Sequence, residues 1–280
     1  MTQATTETHP YPGPFAQRRR LLQGATAAAF LGIAAHSTAK AVAGLDLADT
    51  FVANTFAASI AALGGLPVSS SLITISAPSI AENGSSVPVT VSSTLPGARE
   101  ILLLVDSNPR PVAAWFTMPS GTAPFVSTRI RMAGNGTLYV VIRTDDGGLY
   151  AATQMIGVTV GGCGFEQEGD APDIPSVGAI RIRGGVDNEG VANIRILMPH
   201  PMETGMRLDK SGQVVPAHYI TDITATLTER LVFSARLSIA VSSNPLIAFR
   251  VAGARVGQSL RVVWKDTKGD SRANESVVIA

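Results

Sequence analysis

The side chain with the most chemistry to offer is a thiol. Cys163 is the only cysteine in the 280 residues, and it stands within Gly161-Gly162-Cys163-Gly164. A lone cysteine cannot form a disulfide within its own chain. It is therefore a buried inert thiol, a site of intermolecular pairing, or a working thiol. A thiol meant for burial belongs on the inward face of a strand among bulky neighbours. Here glycines flank it on both sides, which confers mobility and removes shielding. The competing reading is a tight turn that holds a structural cysteine.

The surroundings narrow the chemistry. Catalytic thiols are activated by His, Lys, Arg or a helix N-terminus, whereas the charges that follow Cys163 are Glu166, Glu168, Asp170 and Asp173. These favour the neutral thiol and repel an anionic substrate. There is no second cysteine to resolve a disulfide, which argues against an oxidoreductase. A metal site needs more ligands than one cysteine and two distant histidines, His200 and His218. No metal and no cofactor is implied, and the thiol reads as an attachment point on which other proteins act rather than as part of an enzyme.

The elements that must position this thiol follow from pattern. Residues 1–43 read as a cleaved export signal: Arg18-Arg19-Arg20, an apolar run from Leu21 to Ala35, and small residues at Ala39, Ala41 and Ala43. The run is too short to span a bilayer, so no membrane association is expected after cleavage. Gln17-Arg18-Arg19-Arg20-Leu21-Leu22-Gln23 resembles a twin-arginine signal, with an arginine-rich Sec signal as the alternative. Either way the chain leaves the cytoplasm. Removal of 1–43 takes four basic residues and one acidic residue, so the formal charge passes from +1 to about −2, which gives no reason to expect nucleic acid.

Residues 44–160 begin with one helix, in which Ala48, Phe51, Val52, Thr55, Phe56, Ile60 and Leu63 recur at helical spacing until Gly64-Gly65 stops it. Seven strands are predicted after it, at 72–76, 87–92, 100–105, 112–118, 126–132, 137–144 and 149–160, with turn signals between them. The surest hairpin joins the last two through Asp145-Asp146-Gly147-Gly148. Residues 161–178, rich in Gly, Pro and acidic side chains, form the cysteine-bearing arm and a linker. Residues 179–280 carry a second β-series at 180–183, 191–198, 218–228, 231–237, 246–251, 259–265 and 276–279. The predicted class is all-β, with two immunoglobulin-like β-sandwich domains that show no convincing sequence repeat.

With these residues in view, the first half resembles SoxY, the carrier subunit of thiosulfate oxidation. The likeness lies in Ile80-Ala81-Glu82-Asn83-Gly84 with Val87-Pro88-Val89, Val126-Ser127-Thr128-Arg129-Ile130-Arg131, and Val158-Thr159-Val160-Gly161-Gly162-Cys163-Gly164. The second half resembles SoxZ, its partner subunit. There the likeness lies in His200-Pro201-Met202-Glu203-Thr204-Gly205, Pro216-Ala217-His218-Tyr219-Ile220, Ser243-Asn244-Pro245 with Ala248-Phe249-Arg250, and Asp266-Thr267-Lys268-Gly269-Asp270. The resemblance implies a periplasmic sulfur carrier that catalyses nothing itself.

Within that resemblance Cys163 is the attachment residue, and Gly161, Gly162 and Gly164 are its arm. The implied partners are a haem c-type thiosulfate transferase, a manganese sulfate-releasing hydrolase and a molybdenum sulfane dehydrogenase. In the family the arm ends the chain, whereas here Phe165 replaces a terminal glycine and the chain continues. His200 and His218 fall in the SoxZ-like signatures. They read either as a loop contacting the first domain or a partner, or as loop histidines satisfied by local hydrogen bonds. Two further functions stand beside the sulfur carrier: a fused carrier serving a periplasmic quinoprotein dehydrogenase, and a plain binding or adhesion module.

Overall fold

The computed structural model describes residues 47–162 and 180–277. The export-signal reading of 1–43, Cys163, Gly164 and the rest of the linker to residue 179 lie outside the described residues.

The predicted single helix is two short ones, α1 (Leu47–Val52) and α2 (Phe56–Ala62). The break has a local cause. Thr55 is extended, with φ −138° and ψ 152°, and its side chain accepts from the Ala58 N–H. A residue that caps a new helix N-terminus cannot also continue the old helix. Both pieces pack on a small satellite core, where Phe51, Phe56 and Ile60 meet Leu63, Leu102, Leu104 and Val141. Among the described residues no helix is long and apolar enough to cross a membrane.

The rest is β-structure, and every predicted strand overlaps an observed one with shifted ends, residues 278–279 of the last lying outside the described residues. The first half contributes β1 (Val68–Ser69), β2 (Ile73–Ser76), β3 (Ile80–Asn83), β4 (Val87–Ser93), β5 (Ala98–Val105), β6 (Val112–Thr117), β7 (Thr122–Ile130), β8 (Gly136–Thr144) and β9 (Leu149–Val160). The second contributes β10 (Arg181–Val186), β11 (Val191–Leu197), β12 (Ile220–Leu227), β13 (Arg230–Leu237), β14 (Leu246–Ala252), β15 (Ser259–Asp266) and β16 (Ser271–Val277). Two strands, β1 and β3, were not expected. Both are short and pair in parallel with β9. β1 is too brief for a pattern, and β3 buries only Ala81, so neither carries the alternation that marks a strand.

The two halves are joined through their sheets. One sheet runs β1-β9-β8-β5-β6-β13-β12-β15-β16, and the other runs β10-β11-β14-β7-β4-β2. In each, a strand of the first half pairs antiparallel with a strand of the second. Phe116 of β6 is opposite Ala235 of β13, and Val126 of β7 is opposite Phe249 of β14. The sandwich halves therefore share one hydrophobic core. Phe233 stacks on Phe249 at 4.2 Å between ring centroids and reaches Phe116 at 5.9 Å, so aromatic packing crosses the boundary as well.

Candidate functional site

The root of the cysteine arm is a junction of three backbone segments. β9 ends at Val160, whose carbonyl accepts the Gly84 N–H at 2.7 Å. The Gly84 carbonyl accepts the Met132 N–H at 2.8 Å, and the Met132 carbonyl accepts the Gly162 N–H at 2.8 Å. The segments quoted at 80–84 and 158–162 thus meet at the residue before Cys163, joined by Met132, which directly follows the segment quoted at 126–131.

This junction gives Gly161 and Gly162 a different role from the expected looseness. A Cβ on Gly162 would sit 2.0 Å from the Gly84 carbonyl carbon and oxygen, and one on Gly161 would sit 2.5 Å from the Ala133 oxygen. Gly84 is equally confined, with a Cβ falling 2.5 Å from the Met132 oxygen. Glycine is required here because backbones approach closely. Gly161 and Gly162 are therefore held against neighbouring backbone, in place of the looseness expected of them.

The second half builds a cluster around His200, which is fully buried. Its backbone N–H donates to the Asn244 side chain at 3.1 Å, and its Nδ1 accepts the Met202 N–H at 3.1 Å. Its Nε2 lies 3.4 Å from Asp266 Oδ2, and His218 Nε2 lies 2.9 Å from the same oxygen. Asp266 Oδ1 accepts the N–H groups of Lys268 and Asp270, both at 2.9 Å. The histidines, distant in sequence, are thus 4.5 Å apart by ring centroid. All four second-half motifs meet on one carboxylate or one step from it.

Electrostatics follow from burial. Burial pushes the His200 pKa down to about 4, so the ring is neutral near pH 7. Burial alone would raise that of Asp266, but hydrogen bonds from His218, Asp270, His200 and Lys268 outweigh it and hold the carboxylate below its usual range.

The ligand atoms of His200, His218 and Asp266 lie within 4.8 Å of one another, a spacing that a metal ion could bridge. The donor set does not fit one. His200 Nδ1 accepts a backbone N–H, so the ring proton sits on Nε2, and a protonated Nε2 has no lone pair to give. The chemistry this arrangement can do is to hold loops together.

Arg131 connects the two regions, and sequence reasoning gave it no role. One residue before the Met132 carbonyl that holds Gly162, its Nη1 donates to the carbonyls of Met202, Ile239 and Val241 at 2.8, 2.8 and 2.7 Å. Asn108, likewise unassigned, donates to the Arg131 carbonyl and accepts from the Ala133 N–H, both at 2.8 Å. The sequence offered no signal for it, since Arg131 follows Arg129 in a predicted strand already mixed with Ser127 and Thr128.

Comparison with known proteins agrees with this division. The family model described as sulfur oxidation protein SoxY matches residues 60–163, and that described as sulphur oxidation protein SoxZ matches residues 180–277. Among solved structures, the sulfur carrier protein SoxY from Chlorobium limicola f thiosulfatophilum is 42% identical over 37% of this chain and 94% of its own, with a TM-score of 0.33. A superoxide reductase (neelaredoxin) from Ignicoccus hospitalis is 24% identical over 31% of this chain and 79% of its own, with a TM-score of 0.28. No curated protein matches the chain. The chain belongs to the SoxY and SoxZ families together, as a fusion of the two domains of the sulfur-oxidation carrier system.

Proposed function

We propose that this chain is a periplasmic, non-enzymatic carrier in thiosulfate oxidation that holds sulfur intermediates covalently on Cys163. The observation that carries the reading is where the first family match stops: it runs to residue 163, the sole cysteine. The close-packed glycine root supports it by giving the thiol a fixed point of departure from the sandwich.

Loading forms one S–S bond between the Cys163 sulfur and the terminal sulfur of thiosulfate. It releases the thiol proton and two electrons, which pass to the haem c-type transferase. Hydrolysis by the manganese enzyme then frees sulfate and leaves a persulfide on Cys163. The molybdenum sulfane dehydrogenase oxidises that remaining sulfur. The chain's own contribution is to bind the sulfur and present it.

Intact mass spectrometry of the protein from cells grown on thiosulfate tests this. Sulfur adducts should map to the peptide containing Cys163, and Cys163→Ser should abolish both the adducts and thiosulfate-dependent growth while the fold is kept. Normal thiosulfate oxidation by that variant would sink the carrier reading.

A further inference from the structure

Among the described residues, the outer face of the six-stranded sheet is strongly basic and uncovered. Its outward positions carry Arg181 and Arg183 on β10, Arg195 on β11, Arg250 on β14 and Arg129 on β7, all exposed. The outward residues of β2 and β4, Thr74, Ser76, Pro88, Thr90 and Ser92, are uncharged. No outward position of the six strands is acidic, although the chain without residues 1–43 has a formal charge of about −2.

Among the described residues the charge of the arginines is little offset, although Arg250 reaches Asp187 electrostatically. Arg183 is directly opposite Arg195 across the β10–β11 ladder, an arrangement that costs stability. Among the described residues none of the five is in an ion pair. Arg250 instead lies over the Phe125 ring at 4.0 Å and donates to Asn193. The acidic residues nearest the face, Asp187 and Glu189, sit in the turn between β10 and β11 at one end of the sheet. No described element covers the face, in contrast to the other sheet, which α1 and α2 partly cover.

The opposite end of this face adjoins the arm root. Arg129 is followed by Ile130, which pairs with Val87, and then by Met132, whose carbonyl holds Gly162. A protein that grips the thiol just beyond Gly162 must therefore pass close to the Arg129 end of the sheet.

We infer that this arginine face is a docking surface for the acidic surface of the enzyme that loads Cys163, an inference that rests on the carrier reading above. Six strands about 4.8 Å apart span roughly 25 Å, the scale of a protein interface rather than of a bound ion. Its composition is also that of a protein interface: arginine without lysine, interleaved with the half-buried Leu197, Leu246 and Phe125. A membrane fits less well, because none of the large exposed hydrophobic side chains stands at an outward position of these strands to insert into a bilayer. Charge attraction of this kind raises the encounter rate and is screened by salt.

The test compares wild type with Arg195→Glu. That substitution turns the Arg183–Arg195 pair into an attractive one, so the fold is kept or strengthened, while the face loses two units of positive charge. Loading by the purified haem c-type transferase is followed by intact mass spectrometry across a salt series, with iodoacetamide alkylation as a measure of bare thiol access. The expected result is an initial rate about tenfold lower for Arg195→Glu at low salt, a wild-type rate that falls towards it as salt rises, and equal alkylation. Equal loading rates at every salt concentration would overturn the inference and leave the carrier reading intact. Wild type that alkylates but never loads would overturn the carrier reading and this inference with it. Salt-insensitive loading together with wild-type binding to phosphatidylglycerol vesicles, lost in Arg195→Glu, would assign the face to a membrane instead.

Discussion

The Arg131 guanidinium, in the SoxY domain, donates to the backbone carbonyl of Met202, in the SoxZ domain, at 2.8 Å. The same nitrogen serves Ile239 and Val241, so one side chain satisfies three carbonyls of the other domain. Met202 in turn donates to His200 Nδ1 with a left-handed φ of 50°. Arg131 thus links the arm root to the buried histidine cluster through hydrogen bonds, since its chain neighbour Met132 holds Gly162 and its guanidinium holds Met202.

Replacing Arg131 with Met should be costly, because apolar volume is retained while buried carbonyls lose their donor. A loss of about 3 kcal/mol is expected in urea unfolding, with partial recovery in Arg131→Lys. A loss below about 1 kcal/mol would mean that the three contacts are individually weak.

The arm root makes a second expectation. Gly162→Ala pushes a methyl group into the Gly84 backbone, and backbone cannot yield as a side-chain tip can. The protein should lose about 2 kcal/mol of stability. Gly134→Ala is the control: its added Cβ meets nothing within 4 Å, so stability should hold or rise slightly as the unfolded chain loses freedom. Thermal unfolding of the pair distinguishes a steric requirement from a general effect of losing glycine.

The buried His200 makes stability depend on pH. Its folded pKa of about 4 lies below the ordinary 6.5, so between those values the unfolded chain binds a proton that the folded chain does not. Stability therefore rises with pH through this window and is lost as pH falls from about 6.5 towards 4. His200→Gln should be less stable at pH 7 yet show a flatter profile across the same range. An unchanged slope in His200→Gln would place the titration elsewhere.

Cutting the chain between the domains should not separate them. They share two sheet ladders and an aromatic stack, which a cleaved peptide bond does not disturb. After proteolysis near Glu168 the two pieces should co-elute in size-exclusion chromatography, and Cys163 should load at an equal or faster rate. Dissociation on cutting would show that the linker, not the interface, holds the assembly.

The strands were legible because their apolar residues alternate or run together, and the β8–β9 hairpin because Asp-Gly permits positive φ. Gly147 has φ 83°. The Thr55 cap inside a helical pattern was not, since the same apolar spacing serves one helix or two. Joining of the sheets across the domains was invisible as well, because strand pairing between distant segments leaves no local period. The glycines before Cys163 could be read as notable, but their reason is the approach of Gly84 and Ala133, which only folding brings near. For the same reason His200 and His218 looked unrelated until Asp266 arrived from a third segment.

The joined sheets bear on how the protein is made. Separated at the boundary, the first half would present β6 and β7 as open edges, and the second would present β13 and β14. Each would display a row of unpaired N–H and C=O groups, an invitation to aggregate. When two polypeptides supply such halves, any imbalance in synthesis leaves orphans with sticky edges. A single reading frame makes the ratio one to one by construction, and each strand edge is synthesised together with the strand that seals it.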